Sequence, residues 1–162
     1  VYLKSKAKND TDYPLLNGPT NVFFDNQFVT NSTMEYVASG EEFWTSLGVD
    51  ENIKIEHQLV RKYQERTGVF NHATKWIYEY MITLKNNKPT QENIEIWDQL
   101  PIPSSDQIKV ILVKPEEKQN NLDKTELNYL KWVFNPNAGE EIKIPLSFAI
   151  EHPENIHVSG LE

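Results

Sequence analysis

The side chains able to do chemistry are few in kind. The histidines are His57, His72, His152 and His157. Only His152 and His157 lie close together, and in an extended segment their odd offset sends them to opposite faces of a strand. No DxDxDG calcium loop is present, so no metal site and no other cofactor is expected. The chain has no cysteine, which removes thiol catalysis, disulfides and cysteine-based zinc sites together. Among the acids, Glu41–Glu42, Glu116–Glu117 and Glu140–Glu141 adjoin turns and read as water-facing pairs. Glu95 and Asp98 flank Trp97. An aromatic ring beside carboxylates is a combination that binds sugars, and paired carboxylates cleave them. The plainer reading of these three residues buries Trp97 in a core and makes Asp98 the cap of the next turn. Ser104–Ser105 lacks a GxSxG setting and an ordered His and Asp, and the glycines form neither a phosphate loop nor a dinucleotide fingerprint. No catalytic residue is assigned.

Two covalent modifications come into view. Sequons begin at Asn9 and Asn31, each in a predicted turn, and either would carry a glycan in an exported protein. A Lys–Asn isopeptide bond of the kind found in some adhesive domains would show as an intact mass short by one ammonia.

The elements that must position these residues are strands. Val1, Leu3, Ser5 and Ala7 alternate along a first strand, followed by turn residues at 9–14 and a break at Asn17-Gly18-Pro19. Further strands are expected over 21–24 and 27–30 around an Asp25–Asn26 turn, over 34–38, and over 42–47. The longest element is a hairpin of 53-IKIEHQLVRKYQ-64 and 75-KWIYEYMITLKN-86, with a turn at 67–72. Period two places Ile53, Ile55, His57, Leu59, Arg61 and Tyr63 on one face. A helix over 56–66 is the competing reading. Strands over 93–98, 107–113, 127–134 and 141–151 follow, with 115–124 as an exposed, Asn-rich loop. Trp44, Trp76, Trp97 and Trp132 fall one per strand, which suits a core. The whole reads as an all-β, antiparallel, Ig-like β-sandwich, in one piece or as two packed β-modules, 1–50 and 51–162. No internal repeat connects the modules.

Composition agrees. The 162 residues are 38% hydrophobic and 11% aromatic, enough for a sizeable core. The net charge of −8 argues against nucleic acid and anionic membrane partners. The nearest basic patch, 60-VRKYQER-66, is diluted by apolar and acidic residues. No run is long and apolar enough for a transmembrane helix, so no membrane insertion is expected. The opening 1-VYLKSKAK-8 reads as a strand already under way and not a signal peptide, as in a piece of a longer protein. The missing cysteines lean toward the cytoplasm and the sequons toward export, which leaves the compartment open.

The stretch 1-VYLKSKAKNDTDYPLLNGPTNVFFDNQFV-29 resembles the family known as domain of unknown function 4139, through Asn9, Tyr13, Pro14, Leu15, Leu16, Gly18, Pro19 and Val22. The segments 39-SGEEFWTSLGVDENIKI-55, 79-EYMITLKNNK-88, 96-IWDQLPIPSSDQIKV-110 and 130-LKWVFNPNAGEEIKIPLSFAIEHP-153 continue the likeness in order. Ser39 stands where the family commonly has Pro, and Asn137-Ala138-Gly139 replaces a simpler Pro-Gly. The resemblance implies the C-terminal β region of proteins similar to mucoidy inhibitor A, preceded by a β-domain and a coiled coil. It brings no catalytic residue.

The resulting expectation is a non-enzymatic β-sandwich domain that binds a protein partner or scaffolds an assembly. Self-association would run through the coiled coil or a sheet edge. The alternative is a carbohydrate-binding or glycan-acting module using Trp97, Glu95 and Asp98.

Overall fold

The computed structural model describes residues 1–24, 26–67, 73–116 and 121–156. The chain divides into two compact units, Val1–Asn52 and Ile53–Glu162. His72, His157, Asp25, Glu117 and most of the 67–72 turn lie outside the described residues.

In the first unit, β1 (Tyr2–Lys8) pairs antiparallel with β4 (Glu42–Val49). Leu3, Ser5 and Ala7 are half-buried, while Tyr2, Lys4, Lys6 and Lys8 are exposed, as period two requires. The second pair is a hairpin of β2 (Gly18–Phe24) and β3 (Gln27–Met34). This corrects two expectations. The break at Gly18-Pro19 is the start of a strand, because proline is tolerated on an edge where no ladder bond needs its N–H. The strand expected over 34–38 is absent: Met34 ends β3, and Val37 makes a single bridge to Leu15. Among the described residues of this unit, Asn9 and Val37 are buried.

The second unit begins with the long hairpin, β5 (Ile53–Thr67) and β6 (Ala73–Asn86). Pairing is continuous from Ile53 opposite Asn86 to Thr67 opposite Ala73, so 56–66 is strand and not helix. A bulge falls between Leu59, opposite Tyr80, and Arg61, opposite Glu79. The residue inserted there reverses the alternation. Arg61 and Tyr63 therefore lie on the face opposite to Ile53, Ile55, His57 and Leu59, which corrects the single-face expectation.

Strands β7 (Ile94–Gln99), β8 (Lys109–Lys114), β9 (Leu122–Lys124), β10 (Tyr129–Phe134) and β11 (Glu141–Pro153) complete the unit. One sheet runs β5-β6-β11-β8 and the other β7-β10-β9. All pairings are antiparallel. Strand β9 lies within the segment expected to be loop: Leu122, opposite Trp132, gains partial burial from this short pairing. The inner faces of both sheets contribute to one core that includes Ile82, Leu84, Ile96, Leu130, Trp132, Leu146 and Ile150. Each such side chain contributes about 1.5–3 kcal/mol by leaving water, and together they make the unit a β-sandwich. The tryptophans do not all join it. Trp132 is fully buried and Trp76 packs at the margin, but Trp44 is 65% exposed and Trp97 56%. Both exposed indoles stand on the outward positions of their strands.

Candidate functional site

Asn9 terminates β1. Its N–H donates to the Glu41 carbonyl at 2.9 Å, and its own carbonyl accepts from Gly40 N–H at 2.8 Å. The side-chain Nδ2 donates to the carbonyls of Tyr13 (3.0 Å), Val37 (3.3 Å) and Ala38 (3.1 Å). Oδ1 accepts from the Thr11 N–H and hydroxyl, at 3.2 and 2.7 Å. Gly40 takes a left-handed φ of 78°, and Glu41 Oε2 accepts from Ala38 N–H at 2.7 Å. One amide thus closes two chain segments onto each other and supplies a donor to three carbonyls, of which that of Val37 also accepts from Leu15 N–H.

The second unit repeats this latch. Asn86 ends β6, and its N–H donates to the Glu140 carbonyl at 3.0 Å. Its Nδ2 donates to the carbonyls of Thr90 (2.8 Å), Pro136 (3.2 Å) and Asn137 (3.0 Å), and Oδ1 accepts from Lys88 N–H at 3.0 Å. Gly139 has φ 73°, and Glu140 Oε2 accepts from Asn137 N–H at 2.7 Å. Leu15 N–H donates to Val37 in the first unit as Glu92 N–H donates to Pro136 in the second. The matching segments are 8-KN-9 with 37-VASGEEF-43, and 85-KN-86 with 136-PNAGEEI-142. The expectation of no internal repeat is corrected here. The signal was the paired Lys-Asn and Gly-Glu-Glu, diluted because the latch partners lie 28 residues apart in one unit and 50 in the other. Glu41 and Glu140, expected to face water simply, close these turns.

The latch also bears on the sequons. The Asn9 nitrogen that would carry a glycan belongs to a residue 2% exposed and already donates to three carbonyls. The folded unit has no room for a glycan there. Asn31 is exposed, but on β3 opposite Asn21 and not in a turn.

Trp97, Glu95 and Asp98 do not form one cluster. Strand alternation puts Trp97 and Glu95 on the outward face of β7 and Asp98 on the inward side. Glu95 Oε2 accepts from the Trp97 indole N–H at 3.3 Å, and its Oε1 pairs with Lys131 at 3.0 Å. Lys131, opposite Trp97 on β10, also holds its ammonium 5.1 Å from the indole centroid. Glu95, Trp97 and Lys131 are thus a fixed, solvent-facing triad. Trp97 is not a core residue, which corrects the plainer expectation.

Asp98 accepts from Gln99 N–H at 2.8 Å through Oδ1, while Oδ2 lies 3.5 Å from His57 Nε2. His57 stacks on Tyr80 with ring centroids 4.7 Å apart. The contact joins β7 of one sheet to β5 of the other. Burial, followed by the neighbouring Tyr78, pushes the Tyr80 phenol above its ordinary value, and Lys62 opposes them. His152 is buried, with Nδ1 2.9 Å from the Pro153 carbonyl. Among the described residues no three His, Asp or Glu gather as a metal site. Ser105 Oγ accepts from Gln107 N–H at 3.3 Å, a turn contact.

The family described as "Domain of unknown function (DUF4139)" matches residues 5–154. "Protein F37C4.5" of Caenorhabditis elegans is 36% identical over 116 residues, which are 72% of this chain and 21% of that protein. The aligned stretch thus spans about a fifth of that relative's length. No solved structure matches the chain, so the immunoglobulin-like label stays an expectation while the β-sandwich stands on the sheets themselves.

Proposed function

This chain belongs to the DUF4139 family, and we propose that its role there is non-enzymatic: a β-scaffold within a longer protein that presents aromatic side chains to a protein partner. The observation that supports this is the exposure of Trp44 and Trp97 on outward sheet faces. An exposed indole forgoes the burial that would stabilise the fold, and a partner that covers it recovers that free energy. Each tryptophan also stands cross-strand from a lysine, Lys6 for Trp44 and Lys131 for Trp97. The Trp97 ring, held by Lys131 and Glu95 before binding, loses less entropy on contact, and tryptophan is enriched among residues that dominate binding energies.

Affinity capture with the chain and with its W44A and W97A variants tests the reading. The expected result is a partner retained by the unsubstituted chain and lost with at least one variant. A partner set unchanged by both substitutions, or no partner at all, would remove the basis of the proposal.

A second reading is favoured by the Glu95–Trp97–Lys131 triad, which could stack a sugar ring on the indole beside a carboxylate. Asp98, on the other side of β7, takes no part in it. Binding to a glycan array that disappears in W97A would support this reading. Self-association through β5 has less to recommend it: Lys54, Lys62 and the bulge beside Val60 are devices that keep edge strands from pairing.

A further inference from the structure

The positive charge of the first unit is gathered on one surface. Between Val1 and Asn52 the basic residues are Lys4, Lys6 and Lys8, with no arginine or histidine. All three occupy exposed alternate positions of β1. Of the acids in the same stretch only Glu42 lies on β1 or β4; it is ion-paired with Lys6 and stands opposite Lys8. Trp44, opposite Lys6, and Tyr2, 74% exposed, complete the surface with two aromatic anchors. A chain of net charge −8 therefore carries one locally cationic, aromatic sheet face.

We propose that this face, together with the open edge of β1, docks an extended acidic segment of a protein partner. The inference rests on the interaction-module reading and names the partner's chemistry. Alternate side chains of a strand repeat at about 6.8 Å, twice the rise per residue. That is the spacing of Lys4, Lys6 and Lys8, and also of carboxylates at alternate positions of an extended partner. Among the described residues β1 pairs with β4 alone, so its other edge offers backbone N–H and C=O groups to an added strand. The lysines select what may be added. A second copy of β1 would set lysine against lysine, whereas opposite charges across strands attract. Nucleic acid fits less well. Three lysines, one already paired, supply fewer cations than the roughly 6–10 phosphate contacts of a strong binder, and the overall negative charge repels a long polyanion.

The test titrates the 15N-labelled chain with two synthetic peptides, one alternating Glu and Val and one alternating Lys and Val. The Glu peptide is expected to shift amides of residues 2–8 and 42–46. Its binding should weaken by at least about tenfold in K4E/K6E/K8E and as salt is raised through the range where exposed charges are screened. The Lys peptide should bind only the reversed variant. The neutral K4Q/K6Q/K8Q variant, whose spectrum away from β1 should match the parent, keeps the test valid if reversed charges beside Glu42 disturb the strand pair; it too should lose the Glu peptide. The proposal is overturned if the Glu peptide leaves β1 unshifted, if neither variant weakens it, or if an oligouridylate or phosphatidylserine vesicle binds this face more tightly. A captured partner retained equally by the charge variants would also overturn it, while leaving the interaction-module reading intact.

Discussion

The latch at Asn9 and the latch at Asn86 share the three Nδ2 bonds to carbonyls and the Oδ1 bond from the N–H two residues on, and differ in their surroundings. Asn86 closes a unit whose sheets bury Leu84, Leu130 and Trp132 almost completely. Asn9 closes one in which, among the described residues, only Val37 is buried with it. Desolvating a side-chain amide is unfavourable in either place and is offset by the same set of carbonyls. The device is therefore specified by backbone geometry and does not depend on a large core. In the first unit it must carry a larger share of what holds the strand pair together.

The strongest way to break that comparison is to remove the amides. In N86A the carbonyls of Thr90 and Asn137 and the Lys88 N–H lose this partner, and the Pro136 carbonyl keeps only the Glu92 N–H; the bond to Pro136 is buried and the others are partly buried. At about 0.5–1.5 kcal/mol net for each of the hydrogen bonds lost, the second unit should lose about 2–6 kcal/mol, as read by chemical denaturation. In N9A the effect should be local: hydrogen-exchange protection of β1 and β4 should collapse while that of β6 and β11 is unchanged. Loss of less than about 1 kcal/mol in N86A, or N9A loosening both units equally, would show that the latches are decoration on strand pairs held by other means.

A smaller and sharper comparison uses the glycines. Gly40 and Gly139 have φ of 78° and 73°, and a Cβ added to either meets nothing within 4 Å. The cost of G40A and G139A is then backbone strain alone, about 1–2 kcal/mol. The two variants should cost the same within error, by thermal denaturation for the second unit and by hydrogen exchange for the first. A clear inequality would mean that the turns differ in some feature beyond their common conformation.

Much of the scaffold was legible beforehand. The long hairpin announced itself through length and β-branched, aromatic content on both arms, and β1 through strict alternation. The bulge beside Val60 was not legible, because one inserted residue reverses a face without altering composition. Strand β9 was hidden in an Asn-rich segment, since three paired residues leave no periodic signal. The candidate site fared unevenly. The separation of Trp97 from Asp98 could have been read directly, because neighbours on a strand face opposite ways. The exposure of Trp44 and Trp97 could not, since hydrophobicity does not say which face of a sheet is covered. Asn9 looked like a sequon because its distinguishing feature, the Val37 and Ala38 carbonyls brought to it from a distant segment, exists only after folding.

The smallest expected effect concerns the glutamates that follow the two latches, Glu42 and Glu141. They occupy matching positions, opposite Lys8 and Lys85. In the first unit Lys6 hydrogen-bonds to Glu42, and this contact, followed by the lysine charge, holds the carboxyl below its ordinary value. In the second unit the residue corresponding to Lys6 is Thr83, and Glu141 instead pairs with Lys143 at 3.4 Å along its own strand. A folded pKa below the unfolded one means that the Glu42 pair stabilises the strands at pH above the unfolded value of about 4.3 and ceases to do so as pH falls through the folded value. The pair is exposed and screened by salt, so its effect on stability is slight. The informative quantity is the titration of the Glu42 carboxyl by NMR. K6T writes the second unit's residue into the first, and Glu42 should then titrate closer to the ordinary range. If K6T leaves the titration unchanged, the depression comes from Lys8, whose counterpart Lys85 is present in both latches' plan, and the electrostatic difference between the two strand pairs disappears.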